Sequence, residues 1–369
     1  MPTVVIEASS YDYNILKPQI FSMLDHFAAT SIVRNSTVII KPNLLAPAPP
    51  EKAILTHPLV VRATAEYVLD KGARPVISDS NAMGSFEKVL KAGGFTSALK
   101  GLDVKFREFR ESSIIDVGEP FGKIEIATDA LEADALINLP KLKTHSQMLL
   151  TLGVKNLFGC IVGIKKPEWH FRTGVDREMF ARLLIKIHDS LRPAATILDG
   201  VLAMEGQGPG KSGRPRSIGV VMGSDSAVAL DMAVCRTLGI PPEELPTNKI
   251  ALESRDFGDI EIQGELPEIK NFELPSITPL VFGPPYLHGF IRKHLVQRPI
   301  VNNTSCVACG QCWKYCPAQA ISADGKKINF DYEKCIRCYC CIEICPQGAL
   351  SAKETLAGKA VRNLLGRKR

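Results

Sequence analysis

One spacing of cysteines occurs twice in this chain and restricts its fold more than any other feature. Residues 306–317 read Cys306-x-x-Cys309-x-x-Cys312-x-x-x-Cys316-Pro317, and residues 335–346 read Cys335-x-x-Cys338-x-x-Cys341-x-x-x-Cys345-Pro346. A cubane iron–sulfur cluster needs four converging thiolates. Three come from one tight loop whose two-residue gaps let the backbone wrap the cube, and in runs of this spacing the fourth Cys reaches the other cluster. The spacing therefore predicts two 4Fe-4S clusters, one on Cys306, Cys309, Cys312 and Cys345, the other on Cys335, Cys338, Cys341 and Cys316. The proline after each fourth Cys ends the loop and opens the next turn. The likeness extends beyond the cysteines at a constant offset of 29 residues, since Cys316-Pro-Ala-Gln-Ala-Ile-Ser matches Cys345-Pro-Gln-Gly-Ala-Leu-Ser. That constancy argues for a pseudo-two-fold unit. Asp324-Gly325 followed by the alternating Lys327-Ile-Asn-Phe-Asp-Tyr predicts a hairpin between its halves.

This is the run of the bacterial two-cluster ferredoxins. Zinc would need paired ligands per metal rather than three evenly spaced Cys followed by Cys-Pro. Disulfides need an oxidising compartment, and Met1-Pro-Thr-Val-Val-Ile-Glu has neither a basic start nor a long apolar core, so the expected location is cytoplasmic. Cys340 stands off the spacing and reads as a buried neighbour of the ligands; Cys160 and Cys235 sit in apolar runs and read as core.

The 369 residues allow one large domain ahead of the ferredoxin unit. A net charge of +6, with no dense basic stripe carrying interleaved aromatics, argues against nucleic-acid binding. Residues 1–255 alternate strand-like and helix-like segments. The strands are expected at Ser36–Ile40, Arg74–Ser78, Asp134–Leu139, Ala195–Leu198 and Ile218–Met222, with helices at His57–Lys71, from Ser85 to Gly93, at Asp176–Leu191, and from Ser224 to about Leu238. The fold class predicted is α/β, a largely parallel sheet with helices on both faces, followed by a small α+β two-cluster ferredoxin domain. Residues 256–300, punctuated by Pro267, Pro275, Pro279, Pro284, Pro285 and Pro299, read as a wrapping linker with one or two short strands. Residues 301–352 hold the ferredoxin domain. The tail 353–369 sets six basic residues against Glu354, with Leu356, Val361, Leu364 and Leu365 forming a weak apolar face. It reads as a solvated helix or, alternatively, as a membrane- or partner-docking one.

Ligands of open parallel sheets bind outside the carboxyl ends of the strands. The residues expected there are Lys41 and Asn43; Asp79, Ser80 and Asn81; Lys141, Lys143, Thr144 and His145; Asp199 and Glu205; and, in a following segment, Lys155 and Asn156. Converging lysines point to an anionic ligand, a phosphate or carboxylate, bound by Lys41, Asn43, Lys141, Lys155 and Asn156. Lys143, His145 and Asp199 are the catalytic candidates, while Asp199 and Glu205 could instead take a cation or orient the lysines. Gly206-Gln-Gly-Pro-Gly-Lys211-Ser212 resembles a phosphate loop but has Glu205 where a Walker A has glycine, so it reads as a flexible site loop. No Gly-x-Gly-x-x-Gly stands between a strand and a helix, and nothing else in the sequence names a flavin or other small-molecule cofactor.

Five segments are together similar to the family called domain of unknown function 362: Lys41-Pro-Asn-Leu, Asn138-Leu-Pro-Lys-Leu-Lys-Thr-His145, Gly153-Val-Lys-Asn-Leu-Phe-Gly159, Ile197-Leu-Asp-Gly200 and Gly223-Ser-Asp-Ser-Ala-Val-Ala-Leu-Asp231. The resemblance spans residues 1–255 and implies an iron–sulfur protein of anaerobic organisms, without a reaction. A more distant likeness is to the lactate-racemase type of fold, which binds a phosphorylated nickel cofactor. The fusion suggests an electron-transfer protein or reductase that exchanges single electrons between a redox partner protein, a ferredoxin or reductase, and a ligand on the rim, with similar, low potentials for two near-copied cluster loops. The alternative is a non-redox binding, assembly or sensor module with a ferredoxin docking unit.

Overall fold

The structure is a computed structural model that describes residues 1–163, 165–173, 176–254, 259–275 and 294–365, with side chains as far as residue 360. Alternation along the strands builds it. Val38, Ile40, Ile77, Ile137, Ile197 and Val221 face one core, while their neighbours Ile39, Val76, Leu136, Leu198, Val220 and Met222 face another. A sheet apolar on both faces must be covered on both. Helices Tyr13–Ala28 and Pro58–Asp70 close the first core, and Arg177–Leu191 and Ala227–Thr237 the second.

The strands of this part are β1 (Thr3–Ala8), β2 (Thr37–Pro42), β3 (Arg74–Asp79), β4 (Lys105–Glu108), β5 (Ser112–Asp116), β6 (Lys123–Ala127), β7 (Ala135–Leu139), β8 (Lys141–His145), β9 (Leu149–Thr151), β10 (Ala195–Gly206), β11 (Gly213–Ser224) and β12 (Glu261–Gln263). The main sheet runs β12-β1-β11-β10-β7-β2-β3-β4, with β8 beside β10 and β9 beside β8. It is parallel except where β11 lies antiparallel between β1 and β10, and where β9 returns along β8. β5 and β6 form a separate hairpin.

Side-chain caps set the helix starts: Asp12, His57, Ser85, Asp176 and Ser226 each accept a backbone N–H of the first turn. Ser224, expected to open the helix after β11, instead accepts from the Ser226 N–H. Two expectations were too short. β10 continues seven residues past Asp199 through an irregularity between Gly200 and Leu202. The segment 140–145, read as a loop, is the strand β8. Pro140 has no N–H to donate, so pairing breaks there and resumes one residue later on β10. β1 and the helix after it, with no turn or Gly/Pro signal between them, were not anticipated.

Residues 259–275 wrap the sheet domain. β12 pairs with β1, Ile269 N donates to Thr237 O, and Glu273 N donates to Glu205. Pro279, Pro284 and Pro285 lie outside the described residues. So do the side chains of Val361, Leu364 and Leu365 in helix Leu356–Leu365 of the tail, where Leu356 is exposed.

The C-terminal unit is a duplicate about itself. β13 (Arg298–Val301) pairs with β16 (Leu350–Lys353), and β15 (Lys327–Phe330) with β14 (Ile321–Asp324), each strand standing 29 residues from its counterpart. Helix Gln311–Lys314 maps onto Cys340–Glu343. Left-handed residues repeat at the same offset, Ala308 with Arg337 and Gly310 with Tyr339. So do the amide–sulfur contacts Ala320 N to Cys316 Sγ and Ala349 N to Cys345 Sγ, both 3.3 Å.

Candidate functional site

The carboxyl ends of β2 and β3 deliver Lys41 and Asp79 side by side, as a buried ion pair of 3.0 Å. Asp79 is held there by accepting from Leu44 N and Ser80 N. β8 brings Lys143 and His145, helix Gly153–Asn156 brings Lys155, and helix Lys165–Thr173 brings Lys166 and His170. These side chains enclose a cavity of about 110 Å³. At roughly 10–15 Å³ per water, that is room for several waters or one small molecule. Part of its wall comes from the C-terminal unit, through Tyr315, Cys340, Glu343 and Ile344.

The cavity is electrostatically lopsided. Lys143 donates to Asn43 Oδ1 (2.7 Å) and Ile54 O (2.8 Å), and Lys166 to Ser80 O. Lys155 lies over the rings of Phe158 and Phe180 and meets no hydrogen-bond acceptor among the described residues. Burial pushes all three ammoniums down, Lys143 to about 7 and Lys166 to about 8. Burial would push Glu343 up, yet His145 and Lys155 outweigh it and hold the carboxyl down at about 2. His145 Nδ1 accepts from Gln147 N and Met148 N. The neutral ring must therefore carry its proton on Nε2, which faces Glu343 Oε1 at 3.1 Å. Neither atom has a well-aligned hydrogen bond, so the contact is an electrostatic pairing. Burial also keeps His170 neutral, down at about 3, and its buried Nδ1 has no partner among the described residues.

A chain of amides explains why distant segments belong together. Lys143 is held by Asn43, Asn43 donates to Asn156 (2.8 Å), Asn156 to Asn138 (2.8 Å), and Asn138 to Gly153 O (2.9 Å). The buried Asp231 carboxylate accepts from Gly153 N and Val154 N and so anchors the helix that carries Lys155. Burial pushes Asp231 up to about 7 against those bonds. Gly159 leaves the space for the ion pair; a Cβ there would overlap Asp79 Oδ1 and lie 2.5 Å from Lys41 Nζ.

The expected rim thus divides. Lys41, Asn43, Asp79, Ser80, Lys143, His145, Lys155 and Asn156 meet at the cavity. Lys141 and Asp199 do not. They form a separate, fully buried pair of 2.8 Å, bonded to Tyr11 OH and His57 N, with Tyr11 stacked on His57. The register on β10 slips between their partners, Asp199 for Lys141 and Met204 for Lys143, so Lys141 packs on Asp199 while Lys143 reaches the cavity. Asn81 holds the turn at Met83 and Gly84, and Glu205 pairs with Arg214 and Arg216. Thr144 Oγ1 accepts from Gly208 N. The loop 206–212 is tied on both sides rather than left loose: Gly208 O accepts from Ser146, and Ser212 Oγ donates to Leu350 O of the C-terminal unit. Only its Pro209 touches the cavity.

Two smaller cavities lie within the C-terminal unit. One is lined by Cys306, Cys309, Cys312 and Cys345, the other by Cys316, Cys335, Cys338 and Cys341. The thiols surround space rather than a point. No group of His, Cys, Asp or Glu among the described residues converges as one ion would require. Cys340 is buried, donates weakly to Cys338 O and faces the lysine cavity. Cys160 and Cys235 are core residues whose thiols burial pushes up, Cys160 to about 12.

Lys166, His170 and Glu343 were not anticipated. The i,i+4 spacing of Lys166 and His170 could have placed both on one helix face. Glu343 was visible as a break in the repeat, since its counterpart 29 residues earlier is Lys314.

A doubly covered α/β sheet whose strand-end cavity is walled by a cysteine-rich duplicate defines an iron–sulfur fusion protein. Residues 38–236 match the family described as domain of unknown function (DUF362), and residues 298–346 match a 4Fe-4S dicluster domain. The chain belongs to the DUF362 family and ends in a 4Fe-4S ferredoxin module. It is 32% identical over 304 residues to the Thylakoid-associated protein sll1697 of Synechocystis, across 80% of this chain and 94% of that one. Over 42 residues it is 48% identical to the pyruvate synthase subunit PorD of Thermotoga maritima, 11% of this chain and 42% of that one. The lactate racemase apoprotein from Thermoanaerobacterium thermosaccharolyticum overlays 62% of this chain and 55% of its own, at a TM-score of 0.40 and 12% identity, too slight to carry the nickel cofactor across. Among the described residues no helix is long and apolar enough to cross a membrane.

Proposed function

We propose that the protein exchanges single electrons between a redox partner protein and an anionic ligand held in the lysine cavity, as an iron–sulfur oxidoreductase. Two 4Fe-4S clusters, when bound, supply the one-electron chemistry. Cys306, Cys309, Cys312 and Cys345 hold one, and Cys335, Cys338, Cys341 and Cys316 the other. The observation that carries the reading is the position of helix Cys340–Glu343. It follows Cys338 and contains Cys341, both of the second quartet, while Cys340 and Glu343 line the cavity. A ligand there lies against the polypeptide that wraps the second cluster. Lys41, Asn43, Lys143, Lys155 and Asn156 hold and orient it, and Lys143 and His145 are placed to hand over protons. Lys141 and Asp199 have a supporting role. A cysteine pattern that binds clusters rather than forming disulfides fits a reducing compartment such as the cytoplasm.

The test is anaerobic purification, followed by iron and sulfide analysis and mass spectrometry of released small molecules. About eight irons per chain are expected. The Cys345→Ser variant should disturb the cluster on the first run, and Cys316→Ser the one on the second. An undisturbed partner run in both variants would sink the crossed assignment. The same shared wall also suits a non-redox binding module in which the ferredoxin unit only closes the cavity. That reading gains if a ligand binds but never accepts electrons from, or donates them to, the clusters.

A further inference from the structure

Resting on that reading, we infer that the cavity takes a small organic dianion, a dicarboxylate or a phosphate ester, with Lys155 and Lys166 as its principal receptors and its apolar body against Phe158 and Ile344. Charge is out of balance in this half-enclosed space. Lys41 and Asp79 neutralise each other. That leaves Lys143, Lys155 and Lys166 against Glu343 alone, so protonated lysines leave two positive charges unpaired. Burying unpaired charge is costly, and the protein alone meets the cost by pushing these lysines down toward neutrality. A dianion would cancel the excess and restore their ordinary protonation.

Hydrogen-bonding capacity agrees. Lys155 Nζ meets no acceptor among the described residues, and Lys166 and Lys143 each spend donors on backbone or amide oxygens and keep others in reserve. The buried Thr151 Oγ1 and His170 Nδ1, both on the cavity wall, lack partners among the described residues. Glu343 already faces His145 and acts on Lys155, but not on Lys166, so its repulsion draws the ligand's charged end to the Lys166 side of Lys155. Leu44, Phe158, Pro167 and Ile344 leave no acceptor for a ligand that is polar all round.

The test uses holoprotein kept anaerobic, titrated at constant ionic strength with succinate, phosphoglycolate and acetate, reading thermal unfolding and calorimetric binding. Either dianion should bind at least ~10-fold more tightly than acetate. Tighter binding of succinate names the dicarboxylate class; tighter binding of phosphoglycolate names the phosphate class. Lys155→Gln should weaken the preferred dianion ~10-fold or more with its iron content and visible cluster spectrum unchanged. Lys155→Arg should recover much of the loss. Acetate binding as well as both dianions, or Lys155→Gln binding unchanged, would overturn the inference. Dianion binding without electron exchange would leave it standing and overturn the relay instead.

Discussion

Single residues at this site carry separable duties. Gly159 is required by space rather than by backbone strain, because its missing side chain is where Lys41 and Asp79 meet. Gly159→Ala should destabilise the protein by about 1–3 kcal/mol through overpacking, measured by urea unfolding, and should weaken ligand binding as well. Asp199→Ala offers the contrast. It strands the fully buried Lys141 ammonium, for a loss of about 3–5 kcal/mol. Because the pair lies outside the cavity, dianion affinity of the folded protein should be unchanged. A matching loss of affinity would return Asp199 to the site.

At the scale of elements, β8 and helices Gly153–Asn156 and Lys165–Thr173 bring the charge that titrates. Lys143 and Lys166, pushed down to about 7 and about 8, must be protonated to bind an anion. Dianion affinity should therefore fall as pH rises from about 6 to about 9, and binding near pH 7.5 should take up protons. Calorimetry of succinate in buffers of different ionisation enthalpy checks both; no proton uptake would mean the lysines stay charged unliganded. Loop 206–212 gives a second prediction. A Cβ at Gly210 would lie 2.9 Å from Glu343 O, so Gly210→Ala should raise amide exchange across 340–345 while β10 and β11 stay protected. The strands were legible in the sequence where apolar runs ended at Lys41, Asp79 and Asn138. So was the gathering of Lys41, Asn43, Lys143, Lys155 and Asn156. The division of the rim was not, because sequence gives the alternation of a strand but not its register, and the slip on β10 between Asp199 and Met204 gives Lys141 and Lys143 different neighbours. Glu343 stood out as a break in the repeat, but its place at the site did not, because its partners are some 200 residues away.

Across the whole molecule, near-identical loops suggested two clusters of similar potential, but their surroundings differ. Cys309 of the first quartet is exposed, whereas the second stands behind a wall facing uncompensated lysines. Net charge and exposure both set such potentials, so the second should be the higher, and a dianion in the cavity should lower it and leave the first unmoved. By linkage, ~10-fold weaker binding to the reduced protein corresponds to a drop of ~59 mV for one electron. A potentiometric titration with and without succinate measures it; equal shifts in both clusters would place the ligand elsewhere. The duplicated unit also poses a problem of orientation. An object with two-fold symmetry can be seated either way round. Here two of the differences between matching positions stand at the cavity wall, Cys340 for Gln311 and Glu343 for Lys314. A lysine facing this cavity would be repelled, and a glutamate is drawn in. The same contrast gives the unit its heading: helix Cys340–Glu343 turns two side chains to the lysine cavity, and its copy Gln311–Lys314 turns none.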